Sequence, residues 1–247
     1  MGVRRPPRAR GPAPSPRIQA DTDEPLVLAV DTSSAVETLA VAQGDIVVAQ
    51  WQARRPKHRG ASLASTVEGI LAAVGRSIGD LSAALVVTGP GAFTGLRVGI
   101  ATLQGLASAR GIPLWSISAL DGWAHAGTRE VVGVTLDARR GEVYTGLFRR
   151  SDQGLETLRP LDMQTPEAWA ADLAPGVELV GDGAQLHRER IEALVPGIRF
   201  APRSSAGPDL GAAALAGVGR VKAGETGDPR AVTPIYLRRH DGTRTPS

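Results

Sequence analysis

The sequence predicts an α/β protein built from two similar halves. From Pro25 onward, short apolar runs typical of strands alternate with longer segments in which apolar residues recur at helical spacing. A glycine-rich turn over residues 89–95 leaves one of these runs and leads directly into a helix. An apolar run that ends in aspartate occurs twice, at Asp31 and again at Asp137, which indicates a faint internal duplication.

The first half is expected to open with three strands and to continue as alternating helices and strands. Its strands are predicted at 26–31, 37–42, 46–52, 85–87 and 113–118. A first helix is predicted at 61–75, with one apolar stripe formed by Leu63, Val67, Ile70, Leu71 and Val74. A second helix is predicted at 94–110, with one face formed by Leu96, Ile100, Leu103 and Ala107.

The second half is expected to begin as the first does. Strands are predicted at 131–137 and 142–148, and a short strand at 179–180 leads into another glycine turn. From residue 165 to residue 224, frequent Gly, Ala and Pro dilute the periodicity. The elements of this stretch are therefore less sharply predicted than those of the first half.

The glycine turn at 89–95 leaves two interpretations open. Gly89 and Gly91 permit backbone torsions that other residues adopt at a cost, and Thr94 is predicted to cap the following helix. Backbone N–H groups at a helix start can hold a phosphate, but the spacing matches neither common nucleotide-binding glycine motif. The other interpretation is a structural turn that lets the helix pack closely on a sheet. This structural interpretation is favoured by the small residues along one side of the helix, which are Gly95, Gly99 and Thr102.

Composition agrees with a cytoplasmic protein that has an apolar core. The chain has 247 residues, is 42% apolar and contains no cysteine, which excludes disulfides and thiolate chemistry. No apolar run has the length of a membrane span, so no membrane partner is expected. Residues 1–24 are rich in Pro and Arg, are expected to be disordered, and carry +2 of the total charge of +3.

Two segments resemble the TsaB (YeaZ) family. One is the run Gly89-Pro90-Gly91-Ala92-Phe93-Thr94-Gly95-Leu96-Arg97, in which Ala92 stands where the family usually has serine; the other is Leu28-Ala29-Val30-Asp31-Thr32-Ser33. The resemblance extends over residues 26–238 and includes the ending at 234–238. It implies an actin-like, sugar-kinase and Hsp70-ATPase fold, with two similar lobes that each have a mixed sheet flanked by helices. The implied lobes are 25–118 and 119–238, between flexible tails at 1–24 and 239–247.

The resemblance also implies a function. TsaB is the non-catalytic partner of TsaD, which acts with the small ATPase TsaE. Together they transfer a threonylcarbamoyl group, supplied as an adenylate by TsaC, onto the tRNA adenosine next to the anticodon. The expected partners are therefore TsaD and TsaE, with a homodimer when TsaD is absent and with tRNA contacted through the complex. No cofactor is expected.

The residues themselves predict no metal site and no catalytic group. The paralogue TsaD holds its metal with a His-x-x-x-His pair on the first crossover helix, whereas here His58 is followed by Ser62 at that spacing. The other histidines are scattered, and no Gly-x-Ser-x-Gly elbow or evident triad is present in the sequence.

The family's partner interface corresponds to the two helices of the first lobe. We expect the interface to include His58, Ala61, Ala64, Ser65, Val67, Glu68, Leu71, Ala72, Gly99, Thr102, Leu103 and Leu106. Small side chains allow a second helix to approach closely, but they are also simply good helix formers. Arg97 is open to two interpretations, a contact with a partner carboxylate and a cover for the helix start.

Two other functions remain as alternatives. One is a small-molecule kinase or ATPase that uses Asp31, Thr32, Asp137 and the glycine turn around a metal-bound nucleotide. In a non-catalytic subunit, a vestigial nucleotide site is expected at Asp31, Thr32, Ser33, Asp137, Gly181 and Gly183. In active members of the superfamily, aspartates at such strand ends orient Mg²⁺ and phosphate. The other alternative is a tRNA-recruiting module that uses the arginine-rich tail, although aromatic residues make up only 4% of the chain and offer few stacking platforms.

Overall fold

The computed structural model describes residues 23–54, 62–151, 154–202 and 207–237. The first lobe contains β1 (Leu26–Asp31), β2 (Val36–Gln43), β3 (Ile46–Arg54), α1 (Leu63–Ala73), β4 (Ala83–Gly89), α2 (Phe93–Arg110) and β5 (Leu114–Ser118). After it come α3 (Ala119–His125), β6 (Val131–Arg139), β7 (Glu142–Ser151), β8 (Gly154–Gln164), α4 (Pro166–Ala171), β9 (Glu178–Val180), α5 (Asp182–Leu186), α6 (Arg188–Leu194), β10 (Arg199–Phe200) and α7 (Gly211–Lys222).

The two sheets have the same topology. Among the described residues, the five-stranded order β3-β2-β1-β4-β5 of the first sheet corresponds to β8-β7-β6-β9-β10 in the second. In each sheet the central strand pairs antiparallel with the next strand of the chain and parallel with a strand that follows a helix. The expected duplication into two lobes, each with a mixed sheet flanked by helices, is therefore confirmed.

The apolar stripes of the first lobe lie where the sequence predicts them. Strands β1 and β4 are buried along their whole length, which requires cover on both faces of the sheet. The buried residues of α1 are Leu63, Val67, Ile70 and Leu71, and those of α2 include Leu96, Ile100, Leu103 and Ala107. Gly111 ends α2 in the left-handed conformation, with φ 65°.

The start of α2 differs from the prediction. The helix begins at Phe93, and the residue at its N-cap is Ala92, whose side chain makes no capping bond. The cap predicted at Thr94 is therefore wrong. The helix start is fixed by tertiary contact instead, because the N–H of Ala92 donates to the carbonyl of Ser33 at 2.6 Å.

The C-terminal part of the described chain returns to the first lobe. Helix α7 packs against β1, β2, β3 and β4. A Cβ at Gly217 would lie 2.6 Å from Leu85 Cδ1, so the glycine lets the helix approach the sheet closely. By packing, α7 belongs to the first lobe, although its position in sequence falls within the expected second lobe of residues 119–238.

Helix α3 joins the two lobes. It contacts β4 and β5 of the first sheet and β6, β7 and β8 of the second. The second lobe has its own apolar cluster, in which Trp169 is buried and donates its indole N–H to Thr135 Oγ1 at 2.9 Å. No helix of the described residues has the length and apolar character needed to cross a membrane.

Candidate functional site

The glycine turn lies against the end of β1. Gly89 has φ 130°, and a Cβ there would lie 2.9 Å from the carbonyl oxygen of Ile235. A Cβ at Gly91 would lie 2.5 Å from the carbonyl oxygen of Ser33. Both glycines therefore serve close packing of main chain on main chain, in agreement with the structural interpretation of the turn.

Thr32 lies under the first turns of α2. Its hydroxyl donates to the carbonyl of Gly95 at 2.8 Å. A Cβ at Gly99 would lie 2.3 Å from the same hydroxyl oxygen. Thr32 and Ser33, which the sequence suggested for a nucleotide site, are buried and are engaged by the helix of their own lobe.

In the second lobe, glycines again lie close to the backbone of a central strand, here toward the end of β6. Gly181 has φ 108°, and a Cβ there would lie 2.3 Å from the carbonyl oxygen of Thr135. A Cβ at Gly183 would lie 2.6 Å from the carbonyl carbon of Leu136. These glycines let α5 start directly against β6, as Gly91 does for α2 against β1.

A cleft of about 270 Å³ separates the two lobes. Its lining comes from both lobes, and the residues include Ser33, Pro90, Gly91, Phe93, Trp123, Asp137, Arg139, Tyr144 and Asp182. The structure thus brings together parts of the glycine turn and of the predicted nucleotide set. Phe93 and Pro90 line it on one side, and Asp137 lines it on the other.

The carboxylates at the strand ends are held by groups of the chain itself. Asp31 is buried, and its Oδ1 accepts the N–H of Ser33 at 2.6 Å. Asp137 forms an ion pair with Arg139, with 3.0 Å between Oδ2 and Nη1. Asp182 Oδ1 accepts the N–H of Asp137 at 2.9 Å. Desolvation raises the pKa of Asp182 and the nearby charge of Asp137 adds to the rise, against opposing backbone hydrogen bonds.

Groups of the chain itself engage several residues of the predicted nucleotide site. Within the described ranges, no three His, Cys, Asp or Glu side chains come together in a way that could hold a metal ion. The Asp137 carboxylate forms an ion pair with Arg139, and the Thr32 hydroxyl donates to the carbonyl of Gly95 in α2.

The faces of α1 and α2 separate the expected interface residues into two groups. Val67, Leu71, Gly99 and Leu103 are buried beneath their own helices, so a partner cannot reach them. Their assignment to the interface is corrected, because they belong to the stripe that packs on the sheet. The accessible members are Ala64, Ser65, Glu68, Ala72, Thr102 and Leu106, while His58 and Ala61 lie outside the described residues.

The start of α2 contacts the C-terminal segment of the described chain. The spacing of residues in the sequence does not predict this contact. The N–H of Ile235 donates to the carbonyl of Thr88 at 2.8 Å. The rings of Phe93 and Tyr236 lie 5.3 Å apart, and the Arg97 guanidinium lies 3.9 Å above the Phe93 ring. Arg97 Nε also donates to the Tyr236 hydroxyl at 3.3 Å. Because Arg97 and Tyr236 are 139 positions apart in the sequence, no local pattern predicts this cluster.

Comparison with known proteins identifies the family. The family model described as TsaD, tRNA N6-adenosine threonylcarbamoyltransferase, matches residues 55–182. The tRNA threonylcarbamoyladenosine biosynthesis protein TsaB of Bacillus subtilis is 30% identical over 217 residues, which are 86% of this chain and 93% of that protein. The protein of the same name from Escherichia coli is 32% identical over 134 residues, 52% of this chain and 57% of that protein.

A solved structure agrees with these relatives. The structure of YeaZ from Pseudomonas aeruginosa has a TM-score of 0.70 at 25% identity, and the match covers 86% of this chain and 100% of that chain. The likeness extends over both lobes, so it is not confined to the glycine-turn motif. The chain belongs to the TsaB (YeaZ) family.

Proposed function

We propose that this chain is a non-catalytic subunit of the machinery that makes tRNA threonylcarbamoyladenosine. Membership in the TsaB family supports a role in this biosynthesis. In the proposal the chain acts in the cytoplasm, binds a TsaD-family protein and supports threonylcarbamoyl transfer in a complex that includes TsaE. It contacts tRNA through that complex, and it forms a homodimer when the TsaD-family protein is absent.

The observation that carries the proposal is the division of α1 and α2 into two faces. The two helices contact each other and bury their large apolar residues on their own sheet. Their outer faces carry small groups, among them Ala64, Ser65 and Ala72, which leave room for helices of another protein. The ion pair between Asp137 and Arg139 supports the non-catalytic part of the proposal, because it engages a carboxylate that an actin-like ATPase would need.

The experiment is co-purification with the TsaD-family protein of the same organism. Size-exclusion chromatography with light scattering measures the stoichiometry, and a tRNA-modification assay is run with and without this chain. We expect a one-to-one complex that loses activity when this chain is omitted. No complex and no effect on modification would contradict the proposal.

The cleft supports one alternative, a small-molecule kinase or ATPase. It lies between the lobes and is lined by Ser33, Asp137 and Asp182. ATP turnover by the isolated chain, abolished by Asp137→Asn, would favour this alternative. The tRNA-recruiting alternative depends on the tail of residues 1–24, of which residues 1–22 lie outside the described residues.

A further inference from the structure

The side chains of Phe93, Arg97 and Tyr236 form an exposed cluster at the start of α2. Arg97 is exposed, and its guanidinium is held between a ring face and a phenol oxygen. Throughout 23–54, 62–151, 154–202 and 207–237, no carboxylate lies at ion-pair distance from this side chain. The Nε bond to Tyr236 leaves the two terminal nitrogens for a planar acceptor.

Apolar residues next to the cluster in sequence are exposed as Phe93 and Tyr236 are. Val98 follows Arg97 in α2, and Ile235 and Leu237 flank Tyr236. These five side chains are each between 37% and 47% exposed. Exposed aromatic and aliphatic side chains around one clamped arginine are typical of the residues that dominate protein–protein binding energy.

We infer that this cluster binds a carboxylate of a partner protein, an Asp or Glu set among apolar side chains. The inference rests on the proposed function, and the partner is the TsaD-family protein. A protein surface fits better than RNA, because the patch offers one cation among apolar groups, whereas phosphate backbones are bound by several cations. The stacking on Phe93 holds the guanidinium in place before binding, so less side-chain freedom is lost when the carboxylate arrives.

The test compares charge reversal at two stacked arginines. Arg97→Glu is the test variant, and Arg188→Glu is the matched control because Arg188 lies 4.2 Å above the Phe200 ring in the second lobe. Binding of the full chain to the purified TsaD-family protein is measured by calorimetry at two salt concentrations. We expect Arg97→Glu to weaken binding by about 100-fold and to reduce its salt dependence, and Arg188→Glu to bind as the wild type does.

Two conservative substitutions test the inference even if charge reversal at Arg97 impairs folding. Arg97→Lys retains the charge but loses the planar fork, so we expect about 10-fold weaker binding. Tyr236→Phe retains the ring but loses the bond to Nε, so we expect a loss of about threefold. Thermal unfolding of each variant shows whether the fold is retained.

The other outcomes overturn the inference in distinguishable ways. If the wild-type chain does not bind the TsaD-family protein, the proposed function itself fails. If the wild type binds and the Arg97 variants bind equally well, the function stands and the inference fails. Loss of homodimer with unchanged partner binding would assign the cluster to self-association, and loss of tRNA binding alone would assign it to phosphate.

Discussion

At the scale of single residues, glycines set how closely the helices approach the strand ends. Gly91 and Gly99 lie against the segment that follows β1, and Gly183 lies against the end of β6. At each of these positions a Cβ would come within 2.6 Å of another heavy atom. Only hydrogen fits there, so these glycines are required by packing.

Gly99→Ala tests this packing. The added methyl would meet Thr32 Oγ1 at 2.3 Å, so we expect the free energy of unfolding to fall by about 1–3 kcal/mol. Gly105→Ala in the same helix is the control, because nothing lies within 4 Å of its Cβ position. The control is expected to be neutral or stabilising by up to about 1 kcal/mol. Urea unfolding measures both, and equal effects of the two variants would contradict the packing argument.

The Asp182 carboxyl gives a prediction for pH dependence. Desolvation, with a further contribution from Asp137, raises its pKa above 3.8 in the folded protein. The folded state therefore binds this proton more tightly than the unfolded state does. The resulting stability is present at low pH and is lost as the pH rises through the raised pKa. We expect Asp182→Asn, which can still accept the Asp137 N–H, to raise the free energy of unfolding at neutral pH.

The gain from Asp182→Asn should shrink as the pH is lowered through the raised pKa of the Asp182 carboxyl, where the wild-type side chain becomes protonated. Urea unfolding across this range measures the difference. Asp45→Asn, at an exposed position in the β2–β3 turn, is the control and should have little effect at any pH. A gain that grows as the pH falls would show that the charged form of Asp182 stabilises the fold.

At the scale of elements, α1 and α2 each have one face for the sheet and one face for solvent. Val67 has no exposed surface, whereas Ala64 one turn earlier is exposed. Residues three apart on this helix thus have opposite environments. A substitution at one tests the fold, and the same substitution at the other tests the proposed interface.

Glutamate at these two positions should have different effects. We expect Ala64→Glu to leave thermal unfolding nearly unchanged and to weaken binding to the TsaD-family protein at least about 10-fold, by placing a charge in a close helix contact. We expect Val67→Glu to unfold the first lobe, because an unpaired charge would replace a buried methyl pair.

Ala216→Glu is the control for a charge added to an exposed alanine on another helix, α7, and should bind as the wild type does. Binding is measured by calorimetry after circular dichroism has established the fold of each variant. Normal binding by a folded Ala64→Glu variant would place the interface elsewhere.

At the scale of the whole molecule, the two lobes have the same sheet topology, but the first lobe also includes residues from the C-terminal part of the sequence. Helix α7 and the segment after it complete the first lobe, since α7 covers the sheet and Gln104 Nε2 donates to the carbonyls of Pro229 and Val232. The first sheet therefore depends on residues from the far end of the sequence. Cutting the chain between the lobes would remove part of the first core.

A fragment experiment tests this dependence. We expect residues 1–118 alone to lack a cooperative unfolding transition, because without α7 the apolar side chains of β1 and β4 are exposed on one side. Co-expression with a fragment of residues 119–247 should restore a folded complex. Circular dichroism during heating measures both samples, and a cooperative transition of the first fragment alone would contradict the prediction.

The sequence by itself determined the elements whose signal is local. The buried stripe of α1, the end of α2 at Arg110 and the two central strands that carry Asp31 and Asp137 follow from periodicity and turn chemistry, which act over a few residues. The glycine-turn motif, together with residues 28–33, also indicated the family.

Only the tertiary structure decided what depends on distant contacts. Helix α2 begins at Phe93, with Ala92 as its N-cap, because the carbonyl of Ser33, just after β1, accepts the N–H of Ala92; Thr94 therefore does not cap the helix. Val67 and Leu103 are closed to a partner because the sheet covers them. Arg97 meets Tyr236 only because the chain returns to the first lobe after α7, a contact between residues that no spacing along the sequence relates.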